Sequence, residues 1–460
     1  MQSSRLLDSG SPLRCGRNDV ISGRINHERA AAIVRGPPME FPTLRILDQN
    51  FETATNSEAY PAITRELKRT NLLDPVRSGQ KVVITAGSRG VDSMAAVLRG
   101  LTEAIKAKGA NPVILPAMGS HGGGTAAGQV TVLEHLGICS ETVGAAIHDQ
   151  LKPVKIAEVE GLPVFADQAA LEADHIIIVN RIKEHTEFIG QIESGLIKMA
   201  VVGLGRIAGA EIMHQLAVRI SYARAIQTIA HALFANLKIL GGVAILEDKT
   251  NRFRRVEAVS QQDIFAREPE LLEESRQYHA MLPFTQLDVL LVDEIGKEIS
   301  GAGFDTKVIG RIRNIYEKEC EQPRITRIVL RNLSEKTGGN AIGIGLADFV
   351  HQQVVDKMDP AMTALNSITA VAPEKGMVPI TLPSDRRALE AALQSIGPWD
   401  TDTVRLAWII NTAELNHIAV SPALAREAGI KGLSVSGSSF ELPFDANGVL
   451  AGLRAILGKS

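Results

Sequence analysis

A chain of 460 residues has room for two or three domains, and its ordinary apolar content with a formal charge of only −3 excludes a wholly disordered protein and gives no electrostatic basis for nucleic-acid binding. No apolar run approaches the roughly 18 residues needed to cross a bilayer. No apolar signal core is seen near the start, and the cysteines Cys15, Cys139 and Cys320 are isolated from one another. The expectation is a globular, cytoplasmic protein with neither nucleic-acid nor membrane partners.

Residues 1–40 mix Gly, Pro, Ser and Arg without periodicity and are expected to be a poorly ordered N-terminal extension. Lys81-Val82-Val83-Ile84-Thr85 predicts a buried strand, ended by the turn Ala86-Gly87-Ser88-Arg89-Gly90. Over residues 92–108, Met94, Val97, Leu98, Leu101 and Ile105 fall on one face of a helix that Gly109 closes. A second strand at 112–117 leads into Gly119-Ser120-His121-Gly122-Gly123-Gly124, followed by a helix over 125–137, and a third strand runs from Asp174 to Asn180. Residues 214–236 read as helix. The charged stretch 251–280 marks a boundary, after which strands are expected at 287–293, 325–331 and 404–410, with a helix near 386–395.

Strands alternating with helices predict two α/β domains with mostly parallel sheets, one over 41–265 and one over 280–460, and an active-site cleft between them. In such sheets ligands gather at the carboxyl ends of the strands. The Ser88-Arg89 turn, the His121 loop and the loop bearing His185 each follow a predicted strand, so all three belong on one sheet edge.

The segment 175–215 is the richest in chemistry. It carries Asn180-Arg181-Ile182-Lys183-Glu184-His185, then Lys198 in the apolar run Gly195-Leu196-Ile197-Lys198-Met199-Ala200, then His214 on a helix. A lysine in such a run is costly to bury unless paired or bonded, whereas each histidine taken alone is more often an ordinary turn, surface or core residue. His135, His148, His175, His231 and His417 have no supporting context and read as structural.

Taken together and in order, these residues resemble the core of the nickel-pincer lactate racemase family, over roughly residues 45–235. The resemblance implies a nickel-pincer nucleotide cofactor, Ni pyridinium-3,5-bisthiocarboxylic acid mononucleotide, with His214 as the protein's ligand to the metal and Lys198 as a lysine able to bond to the cofactor. It implies His121 and His185 as the two acid/base histidines, and Ser88-Arg89 as the turn that holds the nucleotide phosphate. Cofactor-biosynthesis enzymes become expected partners. The implied reaction is racemisation or epimerisation of a small-molecule 2-hydroxy acid. The C–H bond of such a substrate is too weakly acidic for simple deprotonation, so a hydride acceptor is needed. A base of near-neutral pKa takes the hydroxyl proton.

In the second region a predicted strand ends in Asp293-Glu294-Ile295-Gly296-Lys297, with Arg311 further on, and these two cations are expected to meet the substrate carboxylate. The glutamine and lysine pair that lactate racemases use in this part of the chain is missing, which points away from lactate and toward a sugar acid or dicarboxylate. Ala200-Val201-Val202-Gly203-Leu204-Gly205-Arg206-Ile207-Ala208-Gly209 looks like a dinucleotide fingerprint after a strand, but no acid lies between Ile212 and Leu246 where a ribose partner is required. The alternatives are a nicotinamide-dependent oxidoreductase and a non-catalytic nickel-nucleotide binding protein.

Overall fold

The computed structural model describes residues 39–51, 58–119 and 121–458. Most of the expected N-terminal extension, Cys15 and Ser120 lie outside the described residues.

The first sheet has six strands. In chain order, β2 (Lys81–Ala86), β3 (Asn111–Pro116) and β4 (Ala146–Ile147) run outward to one side. Past the antiparallel hairpin β5 (Pro153–Val159) and β6 (Leu162–Asp167), β7 (His175–Arg181) and β8 (Ile239–Glu247) run outward to the other side, and β9 (Phe253–Ser260) closes the edge. The order is β4-β3-β2-β7-β8-β9, parallel except for β8–β9. Alternation along the strands divides two cores. Val83, Ile176 and Ile178 face one, while Val82, Ile84, Ile177 and Val179 face the other. Burial on both faces is why these strands read as continuous apolar runs.

The helices α1 (Ala59–Thr70), α2 (Met94–Ala107) and α3 (Ala126–His135) cover one face. The other carries α4 (Arg206–Ile220), α5 (Tyr222–Asn236) and α6 (Ile264–Gln277). The expected apolar stripe of α2, from Met94 to Ile105, is buried. The helix expected over 214–236 is two helices, broken at Ser221, whose φ of 78° no helical residue adopts. α6 packs its buried Ile264, Leu271 and Leu272 against the first sheet, so the charged stretch expected to be a boundary belongs to the first unit as far as Gln277.

The second sheet contains β10 (Gln286–Ile295), β11 (Arg324–Leu333), β12 (Phe349–His351), β13 (Ile380–Leu382), β14 (Leu406–Ile409), β15 (His417–Val420) and β16 (Ser434–Phe440). It also takes in β1 (Leu44–Asp48), between β15 and β16. Residues near 44–48 therefore belong to the C-terminal sheet and not to the unit expected over 41–265. The strands from β13 to β14 are parallel, while β15, β1 and β16 are antiparallel to their neighbours. Between β12 and β13 lies α7 (Pro360–Thr369). It is followed by α8 (Asp385–Gln394) on one face of the sheet and α9 (Pro422–Ile430) on the other.

The two units meet through the His185 loop. Thr306 Oγ1 donates to Thr186 O at 2.9 Å and Lys307 Nζ to Phe188 O at 2.8 Å. Lys375, fully buried, pairs with Glu187 at 2.5 Å. Removing one member of a buried ion pair strands the other charge, which costs about 3–5 kcal/mol. Lys375→Ala is therefore expected to lower chemical-denaturation stability by about that amount, and Lys375→Met with Glu187→Leu to recover much of it. An unchanged urea midpoint in the single variant would show that the pair does not hold the units together.

Candidate active site

The carboxyl ends of β2, β3 and β7 lie on one edge of the first sheet, because the three strands are parallel neighbours. The chain reverses its direction of travel across the sheet between β2 and β7, so a crevice opens there. Arg89 and His185 flank it, and His121 follows the next strand.

His121 opens a short 3-10 turn that ends at Gly124. Gly122 has a φ of 65°, and a Cβ there would stand 2.3 Å from the Gly128 carbonyl carbon, so only glycine lets the turn lie on the start of α3. The same turn is tied to α4. Gln129 Nε2 donates to Gly119 O at 2.8 Å and Met118 O at 3.2 Å, while its Oε1 accepts from Arg206, which in turn pairs with Asp167 at 3.2 Å. Arg206 is fully buried at the head of α4.

His185 is fixed at both backbone and ring. Its N–H donates to Glu193 Oε2 at 2.5 Å, and its Nδ1 accepts from the Glu187 N–H at 3.1 Å. A neutral ring that accepts at Nδ1 carries its proton on Nε2. Nε2 lies 2.6 Å from Lys198 Nζ, a contact in which the imidazole donates once the amine has lost its proton. Burial, then the Arg89 charge, lowers the Lys198 pKa to about 8, which makes that amine accessible. Lys198 ends a short helix, Leu196–Lys198, that continues as a π-helix over Met199–Leu204 into α4. The glycines of the dinucleotide-like run thus follow no strand. A Cβ at Gly205 would meet Gly209 Cα at 2.7 Å, so they serve close packing of helical backbone.

His214, on α4, is coupled to the same group. Burial and then the Lys198 charge lower its pKa to about 4. Burial, then Arg89, Lys297 and Lys198, lower that of His121 to about 4. Burial, then Lys198, Lys307, Lys375 and His214, hold His185 well below the usual range. Three histidines thus stay uncharged at neutral pH around one lysine.

A cleft of about 930 Å³ is lined by Ser88, Arg89, His121, Gly122–Gly124 and Ile207 from the first unit, and by Lys297, Asn366, Met362 and Leu365 from the second. A narrower cavity of about 190 Å³ adjoins it at Arg89, with His185 and Lys198 in its wall. Among the described residues Arg89, Lys198 and Lys297 have no carboxylate salt-bridge partner. Lys297 Nζ instead donates to Asn366 Oδ1. These cations suit an anionic ligand.

Of the residues singled out from sequence, the fold brings Ser88, Arg89, His121, His185, Lys198 and Lys297 to this crevice, with His214 beside it. Arg311 is a correction. Its guanidinium pairs with Asp348 at 2.8 Å and donates to Ile325 O and Thr326 O at the start of β11. β10 and β11 are parallel and Lys297 follows the end of β10, so Arg311 sits at the opposite edge of the sheet from the cleft and cannot meet substrate there. Four of the five histidines read as structural have partners in the fold: His148 with Asp167, His175 with Gln80, His417 with Asp48 and His231 stacked on Phe265, while His135 ends α3. Arg206, Glu187 and Tyr222 had no signal in the sequence, since their partners are remote in the chain.

No protein-family model and no curated protein matches this chain. Among solved structures it is similar to the lactate racemase apoprotein from Thermoanaerobacterium thermosaccharolyticum, with a TM-score of 0.50 and 12% identity, covering 81% of this chain and 99% of that one. A structural-genomics protein from Thermotoga maritima gives 13% identity and a TM-score of 0.48, over 80% of this chain and 99% of that one. The first likeness shows a shared fold: two α/β units with largely parallel sheets. Among the described residues no helix is long and apolar enough to cross a membrane.

The histidine pKa shifts predict a pH dependence of stability. The unfolded chain protonates these side chains near 6.5, the folded chain only near about 4 for His121 and His214. The unfolded state then binds more protons between these values, so stability falls as pH falls from about 7 toward 4. The urea midpoint should drop from pH 7 to pH 5, and less steeply in His121→Gln/His214→Gln. An identical slope in that double variant would mean the two rings are not held neutral.

Proposed function

We propose that this protein is a racemase or epimerase of a 2-hydroxy acid that works with a nickel-pincer nucleotide. The observation that carries the reading is the convergence of His121, His185 and His214, all kept uncharged, around the amine of Lys198 in a crevice between the units. The likeness in fold to a lactate racemase apoprotein supports it.

The residues fit the group. Among the described residues no cluster of three or more His, Cys, Asp or Glu side chains is arranged to hold a metal ion, so the other donors to nickel must come from the cofactor. His214 would supply the protein ligand, the Lys198 amine, once deprotonated, a bond to the cofactor, and Ser88 and Arg89 the phosphate contacts. When bound, the cofactor supplies the electron-poor acceptor that a non-acidic C–H bond requires.

The protein's own side chains do the rest. Lys297, held by Asn366, meets the substrate carboxylate. His121 and His185, uncharged at neutral pH, take the hydroxyl proton and give it back, one serving each enantiomer. Engagement of the Lys198 amine elsewhere releases His185 Nε2 for this work. Ile207, Met362 and Leu365 add an apolar wall to the cleft, so substrates with apolar substituents belong in the screen beside sugar acids and dicarboxylates.

The test is production alongside the cofactor-making enzymes, metal analysis, and chiral chromatography of 2-hydroxy acids after incubation. Near-stoichiometric nickel, lost in His214→Ala, is expected. Interconversion of enantiomers should fall about 10²–10⁴-fold in kcat in His121→Asn. Equal, negligible nickel in a folded wild type and in His214→Ala, despite a working cofactor supply, would overturn the reading.

A further inference from the structure

Tyr222 opens α5 immediately after Ser221, the residue with φ of 78° that breaks it from α4. The break folds the tyrosine back onto the helix that carries His214. The two rings meet edge to face, with centroids 5.6 Å apart and planes at 86°. Tyr222 Oη lies 3.1 Å from His214 Nδ1 and 2.8 Å from Ala370 O.

The proton count in this triad has one solution. A carbonyl oxygen only accepts, so the 2.8 Å contact places the single phenolic proton on the line to Ala370 O. A phenol with its ordinary pKa of about 10 keeps that proton at neutral pH. The tyrosine oxygen has nothing left to donate toward His214 and must accept from it. Its second lone pair remains available to the nearby Asn314 amide without displacing the imidazole. His214 Nδ1 is therefore the protonated nitrogen, and its Nε2 bears the ring's lone pair.

We propose that Tyr222 is a positioning residue that locks His214 as the Nδ1–H tautomer, presenting Nε2 as the donor atom, and that it hangs this setting on a carbonyl of the C-terminal unit. The link to metal binding rests on the function proposed above. The tautomer itself does not. Ala370 follows α7, the helix that brings Asn366 and Thr369 to the cleft and through Asn366 holds Lys297. One hydroxyl thus ties the donor nitrogen of one unit to the helix that supports the substrate-side lysine of the other. A Tyr222→Phe change keeps the ring contact but leaves His214 Nδ1–H without an acceptor and Ala370 O without its donor.

The experiment is a long-range ¹H–¹⁵N correlation spectrum of metal-free protein labelled at histidine, with His214 assigned by its loss in His214→Gln. Wild type should show the Nδ1–H tautomer, and Tyr222→Phe a shift of population toward Nε2–H. The Nε2–H tautomer in wild type would overturn the proposal without recourse to any variant, and so would an unchanged tautomer in Tyr222→Phe. The second readout is nickel retained after dialysis against EDTA by protein produced with the cofactor-making enzymes. Loss of an outer-shell partner costs about 10–100-fold in metal affinity, so Tyr222→Phe should lose nickel at least about 10-fold faster than wild type. Equal retention would overturn the link to metal binding. If wild type carries no nickel at all, the nickel-based function falls, while the tautomer measurement still decides the role of Tyr222.

Discussion

Lys198 sits in an apolar run of chain beside the Arg89 charge, and its amine makes a hydrogen-bond contact with His185 Nε2, at 2.6 Å. Burial and the Arg89 charge disfavour a charged ammonium in that place, while the Glu187 carboxylate favours it. The balance brings the Lys198 pKa down to about 8, and the imidazole beside it stays uncharged. That balance propagates outward. The histidines near the lysine also stay uncharged, Arg89 and Lys297 leave the cleft cationic, and the loop carrying His185 is gripped from the other unit. The C-terminal unit supplies the grip through Thr306, Lys307 and Lys375, which bond to the loop's carbonyls and to Glu187, and the two lysine charges favour the neutral imidazole.

Much of this was readable in the amino-acid order. The strand cores at 81–86, 111–116 and 175–181 are buried on both faces, so their apolar runs carried a strong signal, and the residues after them fell on one edge as parallel pairing requires. Lys198 announced itself by sitting among Leu196, Ile197 and Met199. The limits are equally physical. β1 has the same local pattern whichever sheet it joins, and its partners His417–Val420 and Ser434–Phe440 lie at the far end of the chain. Arg311 and Lys297 are both cations in a glycine-rich region. Which of them reaches the cleft depends on which end of β10 and β11 each adjoins, a fact of the fold and not of the motif. Ser221 is an ordinary serine in the sequence, yet its positive φ divides two helices and brings Tyr222 against His214.

The Gly203–Gly209 run shows how a pattern can mislead while still marking a special place. Its glycines allow close helical packing, and they sit in and beside six residues of π-helix that join Lys198 to α4. A π-turn shifts the angular phase of everything that follows it, so the setting of His214 relative to Lys198 depends on those extra units of rotation. Arg206, buried at the start of α4 and bonded to Asp167 and Gln129, fixes the phase on one side and the His121 turn on the other.

The insertion of β1 between β15 and β16 has a consequence for how the molecule comes into being. The strand leaves the ribosome before every strand of the first sheet, yet its two neighbours are made only after all the other strands of both sheets. At translation rates of about 5–20 residues per second, it waits tens of seconds unpaired. The first sheet, whose strands are all complete by Ser260, can assemble during that interval. The C-terminal half of the protein cannot then be cut from the gene as one continuous piece, because its sheet is finished only by a strand encoded ahead of the first unit.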